Sequence, residues 1–121
     1  MFDILDIARA KALADVLCGA AQIDDELDPD ELDAVHGEIR GLLKIAALPD
    51  ELARHVRTFR RERFDIVETL QRLRLADLGH KKALLRSVRT VIKADAILRE
   101  TEREYFTRLA QILRVAPTDI D

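Results

Sequence analysis

The stretch "KADAILRETEREYFTRLAQILRVAP", residues 93–117, decides the fold because it repeats, in altered form, a stretch from the first half of the chain. Its acidic spacing, Asp-x-x-Leu-x-x-x-Glu, runs from Asp95 to Glu102. The same spacing runs from Asp24 to Glu31. Two copies of one unit, an acidic turn followed by a helix, are therefore indicated.

The repeat extends on both sides of this spacing. With an offset of 71, "KAL" at 11–13 matches "KAL" at 82–84. Further along, "LLKIA" at 42–46 resembles "ILRVA" at 112–116 with a one-residue slip, and each is followed shortly by a proline. Because one helical hairpin cannot bury its own apolar face, we predict that the two helix–acidic turn–helix units pack together about a pseudo-twofold axis.

Hydrophobic periodicity assigns the chain to the all-α class. Apolar residues recur at helical spacing, and no segment alternates with a period of two. The pattern predicts helices over about 3–22 and 28–47, a short one after Pro49, and others marked by 66–73, 84–92 and 106–113, with a break at 77–80. We therefore expect one domain over residues 1–121, a helical bundle of about six to seven helices.

The apolar stripes also predict the core. The residues expected to be largely buried are Leu17, Leu42, Val88, Ile92, Phe106 and Leu109.

Composition favours a globular protein of the cytoplasm. Hydrophobic residues make up 48% of the chain and charged residues 36%, a balance that supports a buried core. The single cysteine excludes an internal disulfide and fits a reducing compartment. No basic leader precedes an apolar run at the N-terminus, and no run approaches the roughly 18 apolar residues of a membrane span. We expect a cytoplasmic location, no transmembrane segment, and membrane contact only at the periphery, through a partner.

The charges are separated along the chain. Residues 22–53 carry ten acids and two bases, whereas residues 54–93 carry twelve bases and four acids. The arginine-rich run at 54–63 contains Phe59 and is followed by Phe64, and no nucleic-acid motif surrounds it. The run is interpreted as a solvated face, and the alternatives left open are contact with phosphate or acidic lipid and contact with an acidic turn of another copy. A protein partner or a homo-oligomer is therefore expected, and nucleic acid is not.

The two signatures resemble those of a known family. In residues 93–117 an apolar helix ends in Ala-Asp, followed by an apolar residue three positions later, Glu seven positions later and a closing Leu-x-[LIV]-x-Pro. The stretch "AQIDDELDPDELDAVHGEIRGLLKIAALPDEL", residues 21–52, carries the related first signature. Together they resemble the tellurite-resistance TerB-like domain over nearly the whole chain. The family usually has Gly directly after the Asp, where this chain has Asp25 and Ala96. The resemblance implies a bacterial stress-response module that senses a ligand or acts as a scaffold, and it implies no known reaction.

The acidic turns admit two interpretations, a cation site and a pair of helix caps. As a site, hard carboxylate oxygens suit a divalent cation of the Ca²⁺ or Mg²⁺ type. The candidate metal ligands are Asp24, Asp28, Glu31, Asp95 and Glu102. As caps, Asp28 and Glu31 form a capping-box-like pattern and complement the helix dipole.

The register of the first turn excludes an EF-hand. Counting from Asp24, the sixth position is Pro29 and the twelfth is Val35, where an EF-hand requires Gly and Glu. The second turn has Arg99 where the first has Asp28, and its positive charge opposes a cation. Any site is therefore expected to be stronger at the first turn.

Residues that could serve an enzyme are sparse. Ser87, the only serine, aligns with apolar Val16, and Cys18 has no basic neighbour along its helix that would lower the pKa of its thiol. The three histidines match no metal-ligand spacing, and no glycine-rich phosphate loop occurs. We expect no enzymatic activity. Two hypotheses remain: a stress-response module that binds a divalent cation at its acidic turns, and an interaction adaptor whose charged faces dock a partner or another subunit.

Overall fold

Six α-helices and one 3₁₀ turn make up the described part of the protein in a computed structural model, which covers residues 6–21, 29–75, 77–93 and 100–116. The helices are α1 (Ile7–Ala21), α2 (Pro29–Leu43), α3 (Asp50–Arg57), α4 (Ile66–Leu73), α5 (Leu78–Ile92) and α6 (Glu100–Leu113), with the 3₁₀ turn at Arg61–Arg63. Within those ranges no residue forms a β-strand, so the predicted all-α class is confirmed. None of these helices combines the length and the apolar character needed to cross a membrane.

Aspartate side chains cap the starts of α4 and α5, and the cap of α5 corrects a predicted boundary. The side chain of Asp77 accepts hydrogen bonds from the backbone N–H groups of Gly79 at 2.7 Å and His80 at 3.3 Å. The segment 77–80, predicted to be a break, is therefore the cap and first turn of α5. The prediction was wrong because Gly79 was given weight as a helix breaker, whereas the cap next to it stabilises the first turn.

The two repeat copies end in the same backbone geometry. Lys44 after α2 and Arg114 after α6 adopt left-handed conformations, with φ of 56° and 60°. In both copies the next residue, Ile45 or Val115, donates its backbone N–H to the carbonyl five residues earlier, at 3.0 Å. This bond is characteristic of the Schellman motif. Helix α2 ends at Leu43, earlier than the predicted 47, because the left-handed Lys44 terminates it. The pseudo-twofold relation of the whole units stays a prediction.

Helix α1 lies at the centre of the bundle. It packs against α4, α3, α2 and α5, and more lightly against α6. Eleven of its fifteen residues are buried, so almost its whole circumference faces other helices. Helix α5 in turn packs against α2 and α6. A helix surrounded in this way reads as apolar on all sides, which accounts for the run of small and aliphatic residues in its second half.

The predicted core residues are mostly buried. Those confirmed are Leu17, Leu42, Val88, Ile92 and Leu109, each at most 6% exposed. Phe106 is only partly buried and packs at the edge of the core. The buried face of α6 is carried instead by Glu102, Leu109, Ala110 and Leu113. An acid therefore occupies a position on the buried face that the hydrophobic pattern did not include.

Candidate functional site

The acidic turns lie largely outside the part of the chain that the structure describes. Asp24, Asp28 and Asp95 fall outside it, and Glu31 lies in the first turn of α2 with only its backbone described. Glu102 is the one predicted ligand whose side chain is described. The grouping of the five predicted ligands therefore stays a prediction. Among the described residues no cluster of three or more His, Cys, Asp or Glu could hold a metal ion.

Glu102 is unusual because it is a buried acidic residue, and acids are rarely fully buried. It lies in the first turn of α6 together with Glu100, and it is only 2% exposed. A carboxylate that leaves water needs a positive charge, a dipole or hydrogen-bond donors close by. The N-terminal end of α6 supplies part of this, because the helix dipole favours negative charge there. The glutamate that ends the second acidic spacing is thus a buried residue at the start of α6.

A second polar cluster was not predicted from the sequence. Asp15, on the inner face of α1, accepts a hydrogen bond from Nε2 of His55 on α3, with 2.7 Å between the nitrogen and Oδ1. Nη2 of Arg72, on α4, lies 3.6 Å from the other carboxylate oxygen. Burial raises the pKa of Asp15, and the neighbouring His55 and Arg72 lower it in part. Three helices are thus linked through one largely buried carboxylate.

A signal for this cluster was present in the sequence. Asp15 is the only charged residue within "ALADVLCGAA", residues 12–21, and it is 8% exposed. An acid inside an otherwise apolar helical run must be paired when the helix is buried on all sides. Its partners could not be found in this way, because both lie in the basic half of the chain, among many similar residues.

The cluster borders a small pocket, called here the basic pocket. Its charged lining consists of Asp15, His55, Arg60, Arg63 and Arg72, and its volume is about 270 Å³. Threonine and phenylalanine side chains complete the wall. The arginine-rich run, predicted to be a solvated face, therefore contributes two arginine side chains to a concave surface.

A larger cavity of about 570 Å³ lies on the other side of Phe64, between α1, α4 and α6. Its wall includes Gly19, Phe64 and Tyr105, and the two aromatic rings lie 6.4 Å apart. The hydroxyl of Tyr105 donates a hydrogen bond of 2.7 Å to the carbonyl of Val16. Burial raises the pKa of Tyr105, so the phenol remains protonated and anchors α6 to α1.

The single cysteine is a core residue. Cys18 is 3% exposed, and burial raises the pKa of its thiol to about 12. Because the thiolate is the reactive form, Cys18 is inert as a nucleophile near neutral pH. Ser87 is also buried, at 4% exposure.

We predict that the carboxyl pKa of Asp15 lies above its ordinary value of 3.8, because burial disfavours the ionised form. The folded protein then keeps this proton to a higher pH than the unfolded chain. The stabilising contribution of the protonated form is complete below pH 3.8 and is lost as the pH rises through the folded pKa.

Carbon-13 NMR titration of the Asp15 carboxyl measures this shift. In His55→Phe the pKa should rise further, because His55 lowers it through its charge and its hydrogen bond. The control Arg57→Gln, an exposed change on the same helix, should leave it unaltered. A value at or below 3.8 in the parent protein would contradict the prediction.

The comparison with protein families confirms the family resemblance predicted from the sequence. The family model described as "Tellurite resistance protein TerB" matches residues 10–121. The chain therefore belongs to the TerB family. No curated protein and no solved structure matches it.

Proposed function

We propose that this chain is a non-catalytic TerB-family module of a bacterial tellurite and stress response, and that it binds a divalent cation at its acidic turns. The observation that carries this proposal is Glu102. Its carboxylate is 2% exposed in the first turn of α6, at the position that Glu31 holds in α2. A buried carboxylate is either paired with another group or coordinates a metal, and carboxylate oxygens suit a hard cation.

The first turn is proposed as the stronger site. It combines Asp24 and Glu31 with further acids, and Pro29 restricts the backbone at the start of α2. The second turn has Arg99 in place of Asp28. A cation at that turn would lie near a positive charge, which lowers affinity. The five ligands proposed are those of the sequence pattern, and Ca²⁺ or Mg²⁺ fits their oxygen chemistry.

The absence of catalysis is part of the proposal. It is supported by the burial of the two common nucleophiles, Cys18 and Ser87, at 3% and 4% exposure. It is also supported by the hydrogen bond of Tyr105 to the backbone of α1, which gives that hydroxyl an anchoring role.

A second candidate function is an adaptor that docks a protein partner or another copy of this chain. The observation that favours it is the charge separation, with a net charge of −8 over residues 22–53 and +8 over residues 54–93. Within the basic segment 54–93, the side chains of Arg57, Arg60 and Arg63 are exposed. On this reading the acids act as helix caps only.

We predict that millimolar Ca²⁺, Mg²⁺ or Mn²⁺ raises the melting temperature of the metal-free protein, because a ligand that binds only the folded state stabilises it. Asp24→Asn should abolish most of this rise with little effect on the metal-free protein. Asp95→Asn should reduce it less. Differential scanning calorimetry with a parallel calorimetric titration, Zn²⁺ included, measures both effects.

The same experiment distinguishes the adaptor hypothesis from the cation-site hypothesis. If the acids are caps only, Asp28→Ala should lower the free energy of unfolding by about 0.5–2 kcal/mol with or without metal. In that case Asp24→Asn should be silent, and the metals should leave the melting curve of the parent protein unmoved. That result would exclude the cation site and leave the adaptor. Stronger binding at the second turn than at the first would contradict the proposed asymmetry.

A further inference from the structure

The basic pocket has a size suited to a small ligand. It lies where α1, α3, the 3₁₀ turn and α4 meet, and each of these elements contributes a charged residue to its lining. Its volume of about 270 Å³ is just below the roughly 300–1,000 Å³ of sites for drug-sized ligands. The pocket is therefore large enough for a small ion with a few water molecules.

The charge of the pocket favours an anion. Three guanidinium groups and one carboxylate leave a net charge of +2 in its lining, before any proton on His55 is counted. The carboxylate of Asp15 is already engaged by His55 and lies 3.6 Å from Arg72. Arg60 and Arg63 form no ion pair with any other group among the described residues. Two positive charges at the pocket thus lack a counter-charge within the described part of the chain.

The depths of the charged groups set the order in which an entering anion meets them. The side chain of Asp15 is 11% exposed, whereas that of Arg72 is 51% exposed, and Arg60 and Arg63 are exposed residues. An anion therefore reaches the guanidinium groups before it approaches the carboxylate. Asp15 in turn fixes the position of His55 and stabilises the charge of Arg72, without occupying the outer part of the pocket.

The two threonine hydroxyl groups in the pocket wall already donate hydrogen bonds within the protein, so the arginines remain as donors to a ligand. Thr58 donates its hydroxyl proton to the carbonyl of Arg54 at 2.9 Å, and Thr69 donates to the carbonyl of Asp65 at 2.7 Å. These protons are used within the helices. The planar fork of a guanidinium group can donate two parallel hydrogen bonds to a tetrahedral oxyanion, which a single ammonium group cannot do.

We propose that the basic pocket is a binding site for a phosphate-type oxyanion, held by Arg60 and Arg63 with Arg72 as the third cation. The site is separate from the acidic turns, and its ligand has the opposite charge to the cation proposed there. The shared chemistry is a tetrahedral, doubly charged oxygen anion, whether it is free in solution or carried on a lipid headgroup. The pocket is concave and is lined by four elements of the fold, which favours the free ion over a flat membrane surface.

The contrasting explanation is a diffuse attraction between anions and an arginine-rich surface. Arg57 provides the test of this alternative, because it is an exposed residue of the same basic run and does not line the pocket. Arg57→Gln removes the same charge as Arg60→Gln or Arg63→Gln. Only the position relative to the pocket differs among the three variants, and all three sites are exposed, so folding should be preserved.

The experiment is a titration of the full chain with inorganic phosphate at fixed ionic strength, followed by NMR and by calorimetry. We expect binding of one phosphate per chain, with shifted signals for His55, Thr58 and Thr69. Arg60→Gln and Arg63→Gln should each weaken binding about tenfold, the loss expected for one charge-assisted hydrogen-bond donor. Arg57→Gln should weaken it less than about twofold, since a remote exposed charge acts only through screened attraction.

The proposal is overturned if all three variants weaken phosphate equally, because that result describes a diffuse field. It is also overturned if phosphate in the millimolar range shifts no signal of the pocket. A parallel arm uses phosphatidylcholine vesicles with and without phosphatidic acid in a sedimentation assay. Binding to the phosphatidic acid vesicles without binding of free phosphate would overturn the small-ion site in favour of a membrane surface.

Discussion

Leu17→Ala should lower the free energy of unfolding by about 2–5 kcal/mol, the range of large-to-small substitutions in a packed core. Leu17 is fully buried, and it lies on α1, the helix that packs against all five others. Because α1 is surrounded by several helices, we expect that no single side chain can move to fill the space that Leu17 leaves. The cavity should therefore persist, and the cost should lie toward the upper part of the range.

Urea unfolding followed by circular dichroism measures this loss, and the matched control is Leu78→Ala. Leu78 has the same side chain, but it is 54% exposed at the start of α5. Its substitution should change the free energy of unfolding by less than about 0.5 kcal/mol, as is usual for exposed positions. Equal effects at the two leucines would show that α1 is not the central helix of the folded protein.

The helical phase was predictable because it depends on local patterns. Apolar spacing placed Leu17, Val88 and Leu109 in the core, and these three are fully buried. The shared ends of the repeat were also visible in the sequence, as "LLKIA" and "ILRVA". The left-handed residues there are Lys44 and Arg114. Their geometry could not be read from residue type, because glycine is the usual residue at such positions.

The candidate sites were less predictable because they depend on contacts between distant parts of the chain. The Asp15–His55 hydrogen bond joins residues 40 positions apart, and the Tyr105–Val16 bond joins residues 89 positions apart. No local spacing encodes such pairs. The buried state of Glu102 was also missed, since the sequence shows only an acid at the start of a helix. The clustering of the acidic ligands stays a prediction, because most of them lie outside the described residues.

Gly19→Ala should destabilise the protein, although alanine is the better helix former. A Cβ atom on Gly19 would lie 2.8 Å from Cε2 of Phe64 and 2.9 Å from the hydroxyl oxygen of Tyr105. The gain in helix propensity is roughly 1 kcal/mol. Against it stand the overpacking, which costs about 1–3 kcal/mol, and the displacement of the Tyr105 hydroxyl from the carbonyl of Val16. We expect a net loss of about 1–2 kcal/mol in the free energy of unfolding.

The matched control for this change is Gly41→Ala in α2. A Cβ atom there would meet no other atom within 4 Å, so only the gain in propensity remains and stability should rise, by up to about 1 kcal/mol. If Gly19→Ala lowers the free energy of unfolding and Gly41→Ala raises it, the loss at Gly19 can be attributed to the close approach of α6 and Phe64 to α1.

The hydroxyl of Tyr105 can be separated from the ring of Phe64 by a double-mutant cycle. Tyr105→Phe removes the oxygen atom that lies 2.9 Å from the added Cβ and leaves the contact with Phe64. If the displaced hydroxyl carries much of the cost, Gly19→Ala should destabilise the Tyr105→Phe background less than the parent by about 0.5–1.5 kcal/mol, the net value of one hydrogen bond. Chemical unfolding of the four proteins measures this coupling. An undiminished cost in the Tyr105→Phe background would assign the whole effect to Phe64, and a stabilised Gly19→Ala protein would show that α1 and α6 do not approach as closely as described.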